Sequence, residues 1–310
     1  MHIPDGMLDT KAVAATWVVA IPVVGLATRK VREAASDGRL VLMAVLSGLI
    51  FALQMLNFPV AGGTSGHFAG GALAAILLGP WAAMLVLTSV LIVQALIFGD
   101  GGVTALGANM VNMAVVAPVV GWWIYSLAVR LSDTRAGRIV GAFTAAWTAC
   151  VAAAVGAALM VWASGSALLV PVVGAMASWH AVIGVGEGLV TAGLVAYVFA
   201  VRPDLMRADA EVLRPRTLAI SLGALAAAAA GGSFLASGSP DGLEHVASSL
   251  GFLTETPPVW SGGPLAGYLV PGMTNETLAG ILAGLAGVLV AGAFVYAGGR
   301  ALLARRRAGS

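Results

Sequence analysis

The chain opens Met1-His2-Ile3-Pro4-Asp5-Gly6. A free α-amine beside a histidine is a chelator for a small divalent metal. The Met1 amine, the His2 backbone nitrogen and the His2 imidazole all reach one ion, closing a five-membered and then a six-membered ring. Three nitrogens in one plane leave one in-plane position open. Such a set suits Ni(II) or Cu(II) better than tetrahedral Zn(II), and it denies Mg or Ca their preferred oxygens. His2 also protects the start, because aminopeptidases remove Met1 mainly ahead of a small residue.

His67 offers a fourth nitrogen. It ends a loop, Pro59 to His67, that carries Gly62, Gly63, Thr64, Ser65 and Gly66. Free N–H groups and the Thr64 and Ser65 hydroxyls can fix the orientation of an imidazole. His67 either closes the metal plane or caps the following helix. His180 and Glu187 lie seven residues apart and so share one helix face. Glu187 stands between Gly186 and Gly188 and is the one acidic residue inside an apolar span. A charge there costs roughly 2.5–3.5 kcal/mol and turns toward the bundle interior. It suits a proton site, a partner behind a metal ligand, or a bond between helices. Asn109 and Asn112, one helical turn apart, either join helices or orient the outer loops.

These residues need a membrane scaffold. Hydrophobic residues make up 59% of the 310, charged residues 10%, and the mean hydropathy is +0.96. A soluble domain carries about a quarter charged residues. The fold class expected is therefore an all-α integral membrane protein. The 41 glycines suit closely packed membrane helices. The single Cys150 excludes both a disulfide framework and a cysteine metal site. No cleavable signal peptide is expected, because the first apolar stretch follows a lone Lys11 and lacks a cleavage site.

A spanning helix needs ~20 mostly apolar residues. Nine stretches are candidates: 12–27, 40–56, 68–78, 81–98, 108–129, 139–163, 173–201, 217–236 and 278–303. The third is short, Gly79-Pro80 after it reads as a tight turn, and the alternation of the Arg-rich loops counts it as a true crossing. Fifteen of the 16 basic residues follow spans one, five and seven or end the chain at and after the close of span nine, which puts them on one cytoplasmic face. The N-terminus is then outside and the C-terminus inside. The outer segments 57–67, 99–107 and 164–172 are nearly uncharged and glycine-rich, as metal-holding loops at membrane depth would be. No G-x-x-x-x-G-K-[ST], no H-E-x-x-H and no paired intramembrane aspartates occur. ATP hydrolysis, zinc proteolysis and aspartyl proteolysis are therefore not expected of this chain, nor is nucleic-acid binding.

Four motifs in order carry a resemblance. They are the Met1–Gly6 start, Gly-Gly-Thr-Ser-Gly-His ending at His67, Ala105 to Met113 with Asn109 and Asn112, and His180 to Gly188. Together they resemble the CbiM/NikM family, the substrate-binding subunits of energy-coupling-factor cobalt and nickel transporters. The resemblance covers residues 1–203 and implies that Met1, His2 and His67 hold the metal. From Thr217 the chain is similar to the accessory subunit NikN, whose marker stands here as Pro240-Asp241-Gly242-Leu243-Glu244. The expected domains are 1–203, a cytoplasmic linker 204–216, and 217–310 with two helices and an acidic outer loop. That loop bears Asp241, Glu244, Glu255 and Glu276, whose negative potential would gather cations.

The resemblance implies a transmembrane coupling subunit and cytoplasmic ATPase subunits as partners, a bacterial cell membrane as location, and no cofactor beyond the transported Ni²⁺ or Co²⁺. The rival reading is a proton-coupled secondary metal transporter that relays protons through Glu187 and His180. An intramembrane enzyme and a purely structural subunit are further rivals. Ligand types alone do not separate nickel from cobalt.

Overall fold

The computed structural model describes residues 2–34, 36–202, 237–253, 257–260 and 262–308. The expected linker 204–216 and the expected span 217–236 lie outside these residues, as does Met1. Among the described residues seven helices are long and apolar enough to cross a membrane. They are α1 (Thr10–Ala34), α2 (Asp37–Gln54), α4 (Pro80–Val93, continued by Gln94–Phe98), the Leu106–Leu131 segment, α7 (Arg135–Ala163), α8 (Leu169–Val201) and the C-terminal helix Glu276–Ala308.

The third candidate span does not form such a helix. Residues 68–78 yield only the eight-residue α3 (Gly71–Leu78), about 12 Å long at 1.5 Å per residue. Seven of its eight residues are buried, so its apolar run reflects enclosure by protein. Its end lies beside the start of α2, where Arg39 Nη2 donates to the Leu78 carbonyl at 2.9 Å.

Polarity is inverted relative to a soluble protein. Val18, Ile21, Trp123 and Val170 are exposed, while Gln94, Asn109, Asn112 and Glu187 are buried. The exposed side chains suit hydrocarbon, and the buried ones must find partners inside. Helices α7 and α8 pack most extensively. A run of buried alanines on α7, Ala142 to Ala158, lets the backbones approach. The C-terminal helix lies antiparallel on α2: Ser47 Oγ donates to the Ala291 carbonyl, and Arg300 pairs with Asp37 at 3.1 Å.

Two features matter for the site. The expected loop before His67 is instead a β-hairpin, β1 (Asn57–Val60) and β2 (Thr64–His67), with Asn57 opposite His67. Gly62 and Gly63 in its turn have positive φ, which residues with a Cβ reach only with strain. Two of the membrane helices near the site also contain a π segment, at Gln94–Phe98 and at Met110–Val116. The second lies between the short α5 (Leu106–Asn109) and α6 (Ala117–Leu131). A π turn re-aims side chains and frees carbonyls, and such turns often mark functional positions.

Candidate metal centre

His2 sits inside the bundle on a buried N-terminal segment in which Ile3 and Met7 are almost fully enclosed. Asn109 anchors that segment. Its Oδ1 accepts the Ile3 N–H at 2.8 Å, and its Nδ2 donates to the Ile3 carbonyl at 3.1 Å. The Gly102 N–H donates to the same carbonyl at 2.9 Å. Asp5 forms the next tie, accepting from the Thr104 N–H and hydroxyl on Oδ1 and from the Val259 N–H on Oδ2. Burial raises the Asp5 pKa, but the hydrogen bonds from Thr104, Val259 and Val103 outweigh it and hold the carboxyl below its usual range.

The segment brings His2 to His67. Their ring centroids are 5.3 Å apart and their planes 18° from parallel. Two imidazoles on one ion, each bound at about 2 Å, place their centroids roughly 4–6 Å apart. Burial pushes the His2 pKa below that of a free imidazole, more than Asp100 raises it. The ring is therefore neutral at neutral pH, the form that binds metal.

His2 has further partners that composition did not reveal. Its Nδ1 lies 3.2 Å from Asp100 Oδ1, and its Nε2 lies 3.2 Å from Gln94 Oε1. Gln94 opens the first π segment, and the Asp100 N–H folds back onto the Gln94 carbonyl at 3.0 Å. Tyr268, from the C-terminal part of the chain, donates to Asp100 Oδ2 at 2.5 Å and lies 3.4 Å from Gln94 Nε2. Burial and the Asp100 charge push its phenol well above the usual range, so it keeps its proton. Gln94 was legible only as a polar residue in an apolar span, and Asp100 only as the one charge in the loop 99–107. Nothing in the sequence set Tyr268 apart.

The expected supporting residues separate into groups. Thr64 and Ser65 do not hold an imidazole in the described structure. Their hydroxyls donate to the Pro240 and Ser239 carbonyls, and the Ser65 N–H donates to the Pro240 carbonyl at 2.8 Å. The Pro240–Glu244 marker thereby extends the hairpin edge at Asp241. Asp241 then caps the Gly242–Ser249 helix through a capping box with Glu244. Leu243 of that helix is fully buried in the same apolar cluster as Ile3, Met7 and the α7 alanines. Gly242 is required by close approach, since a Cβ there would meet His180 Nε2 at 3.0 Å and Cε1 at 2.8 Å.

His180 bonds the Met176 carbonyl one turn back through Nδ1. Asn112 faces α7, with Nδ2 3.4 Å from Met160 Sδ. Glu187 accepts the Ala69 N–H at 2.7 Å and the Gly70 N–H at 2.9 Å. It therefore sits at the N-terminus of α3, where a carboxylate is favoured, and fixes the backbone just after His67.

His2 and His67 face a cavity of about 490 Å³ that Asp100, Asp241, Glu244 and Glu276 also line. No Lys or Arg lines it among the described residues. Burial and the Asp241 charge push the Glu244 pKa up, as expected where carboxylates crowd. A cavity lined by one sign of charge concentrates counter-ions.

Comparison with known proteins gives the family. The profile of the CbiM family, a cobalt uptake substrate-specific transmembrane region, matches residues 2–205. A protein of Archaeoglobus fulgidus is 38% identical over 96% of this chain and 97% of its own length. The fused nickel transport protein NikMN of Rhodobacter capsulatus is 36% identical over the full length of both chains. A crystal structure of a truncated transition metal transporter superposes with a TM-score of 0.59 at 36% identity, covering 64% of this chain and 99% of the other. The buried N-terminal histidine segment, the hairpin histidine and these matches lead to one assignment: the chain belongs to the CbiM family of membrane metal-transport proteins, and it matches a fused NikMN relative along its full length.

Proposed function

We propose that this protein is the substrate-binding subunit of an ATP-driven uptake system for Ni²⁺ or Co²⁺. The Met1 amine, the His2 nitrogens and His67 hold the ion, which enters from outside through the acidic cavity. The observation that carries this reading is the near-parallel approach of His2 and His67, enforced by the two-point bond between Asn109 and Ile3. The names of the relatives support nickel or cobalt as the cargo.

The domain reading is 1–203 for metal binding, 204–216 as a cytoplasmic linker and 217–310 as an accessory domain, with the N-terminus outside. The accessory marker packs against the hairpin that bears His67, and Val259 bonds Asp5. These contacts support a role in ordering the N-terminal segment as metal is loaded. The chain has no nucleotide motif, so a coupling subunit and ATPase subunits supply the energy and drive inward release. Glu187, with both oxygens on backbone N–H groups, acts in this reading as a brace for the His67 strand.

The test is metal analysis and titration of the purified chain with an unblocked N-terminus, under Ni²⁺/Co²⁺ competition, beside His2→Ala and His67→Ala. One tightly bound ion that both variants lose is the expected result. Stoichiometric binding that survives His67→Ala would remove that residue from the donor set.

A further inference from the structure

Four side chains from three distant parts of the sequence, His2 among them, form a closed ring. Tyr268 Oη meets Asp100 Oδ2, Asp100 Oδ1 meets His2 Nδ1, His2 Nε2 meets Gln94 Oε1, and Gln94 Nε2 meets Tyr268 Oη. We propose that Tyr268 is a positioning residue for the metal site, setting the His2 tautomer through Gln94 and presenting Asp100 beside the ligating nitrogen.

The donors and acceptors in the ring are limited. A phenol has one proton and a carboxylate has none. The short Tyr268–Asp100 contact uses the tyrosine proton, as charge-assisted bonds do. Toward Gln94 the phenol oxygen then only accepts, so the amide NH₂ must point to it. The Gln94 carbonyl oxygen is left facing His2 Nε2 and accepts a proton from it. A neutral imidazole with its proton on Nε2 has its lone pair on Nδ1. That is the nitrogen which closes a six-membered ring with the His2 backbone nitrogen. The lone pair faces Asp100 Oδ1, another acceptor, across 3.2 Å. Two acceptors at that distance are reconciled by a cation, so the ring leaves a slot biased toward a positive ion at the ligating atom.

The backbone agrees. Tyr268 is the only non-glycine with positive φ among the described residues, at 59°. Its ring stacks on Phe98 at 4.9 Å and tilts against Phe51 at 6.2 Å. The Leu265 N–H donates to the Ile97 carbonyl, and Trp260 Nε1 donates to the Leu96 carbonyl, both within the π segment that begins at Gln94. The C-terminal segment is thus fastened to the turn that aims Gln94, and an uncommon backbone conformation delivers the phenol to Asp100.

This inference rests on His2 as a metal ligand, and Tyr268→Phe tests it in the full-length chain. Phenylalanine keeps the aromatic stack and removes only the hydroxyl. Nickel affinity should fall ~10–100-fold, the usual effect of losing a group that orients a ligand. The spectrum of the saturated nickel site should be unchanged. Asp100→Asn should also weaken binding, and the double variant should lose less than the sum of the two. The ¹⁵N spectrum of His2 in metal-free protein gives a readout that does not involve metal. It should show the proton on Nε2 in the parent and a shift toward Nδ1 in Tyr268→Phe. A parent with its proton on Nδ1, or a variant with parental affinity and an unmoved spectrum, overturns the proposal. A parent chain that binds no nickel overturns the metal reading and this inference with it. Parental binding lost in His2→Ala but unaltered in Tyr268→Phe overturns the inference alone.

Discussion

Asn109 pairs with Ile3 as a neighbouring β-strand would, giving one hydrogen bond and taking one across 106 residues of sequence. The contact is buried and sits one residue from His2. Each bond contributes about 1 kcal/mol, and an orphaned buried partner costs about 1–3 kcal/mol. Asn109→Ala should therefore weaken nickel binding at least tenfold by releasing the N-terminal segment. Isothermal titration measures the change, and parental affinity in a folded variant would show that the segment seats without Asn109.

Extending the chain by one alanine before Met1 should reduce nickel affinity by several orders of magnitude. The extension turns the Met1 amine into an amide, which binds only after losing its N–H proton, and it adds a residue to a segment that is already enclosed, so the new amine no longer falls where the free Met1 amine presents its lone pair. Nickel in the parent site should be yellow and diamagnetic, as a planar nitrogen set requires, and binding should release protons. Equal affinity in the extended protein would take the Met1 amine out of the site. A paramagnetic, oxygen-rich nickel spectrum would refute the planar geometry.

Gly102→Ala should abolish high-affinity binding while leaving most of the bundle folded. A Cβ at Gly102 would lie 2.3 Å from the Asp5 backbone nitrogen and 2.7 Å from the Pro4 carbonyl carbon. Both are backbone atoms, so no side-chain rotation relieves the overlap. The N-terminal segment would have to leave its seat. Protease sensitivity of the first ten residues, beside a nickel titration, reports on that displacement, and a protected N-terminus with normal binding would contradict it.

Glu187→Gln should lower thermal stability and weaken nickel binding moderately. The amide keeps one acceptor but turns an NH₂ toward the second backbone donor, leaving a buried N–H unpaired at a cost of about 1–3 kcal/mol. With partner subunits present, uptake by the variant should fall in proportion to the lost affinity and ignore uncouplers. Uptake by the chain alone that collapses with both uncouplers and Glu187→Gln would instead favour the proton-coupled rival.

The sequence by itself determined the chemistry that is local. The His2 chelate is made of atoms a few bonds apart, so residue identities suffice to propose it. The membrane class follows from composition, because ~20 apolar residues in a row have one solvent that suits them. Hydropathy marked residues 68–78 as apolar but not that only eight of them form a helix enclosed by protein, because an apolar run buried in protein looks the same as one bathed in lipid. The hairpin at Asn57–His67 was hidden in a glycine-rich stretch too short to display a period.

Only the tertiary structure decided what surrounds the site. The contacts of His2 with Gln94, of Gln94 with Tyr268 and of Ser65 with Pro240 span 92 to 175 residues. Periodicity tells which face of a helix is buried but not which residue meets it. Glu187 was recognisable as costly and inward-facing, yet its partners are backbone N–H groups, which every residue but proline carries and no sequence pattern marks.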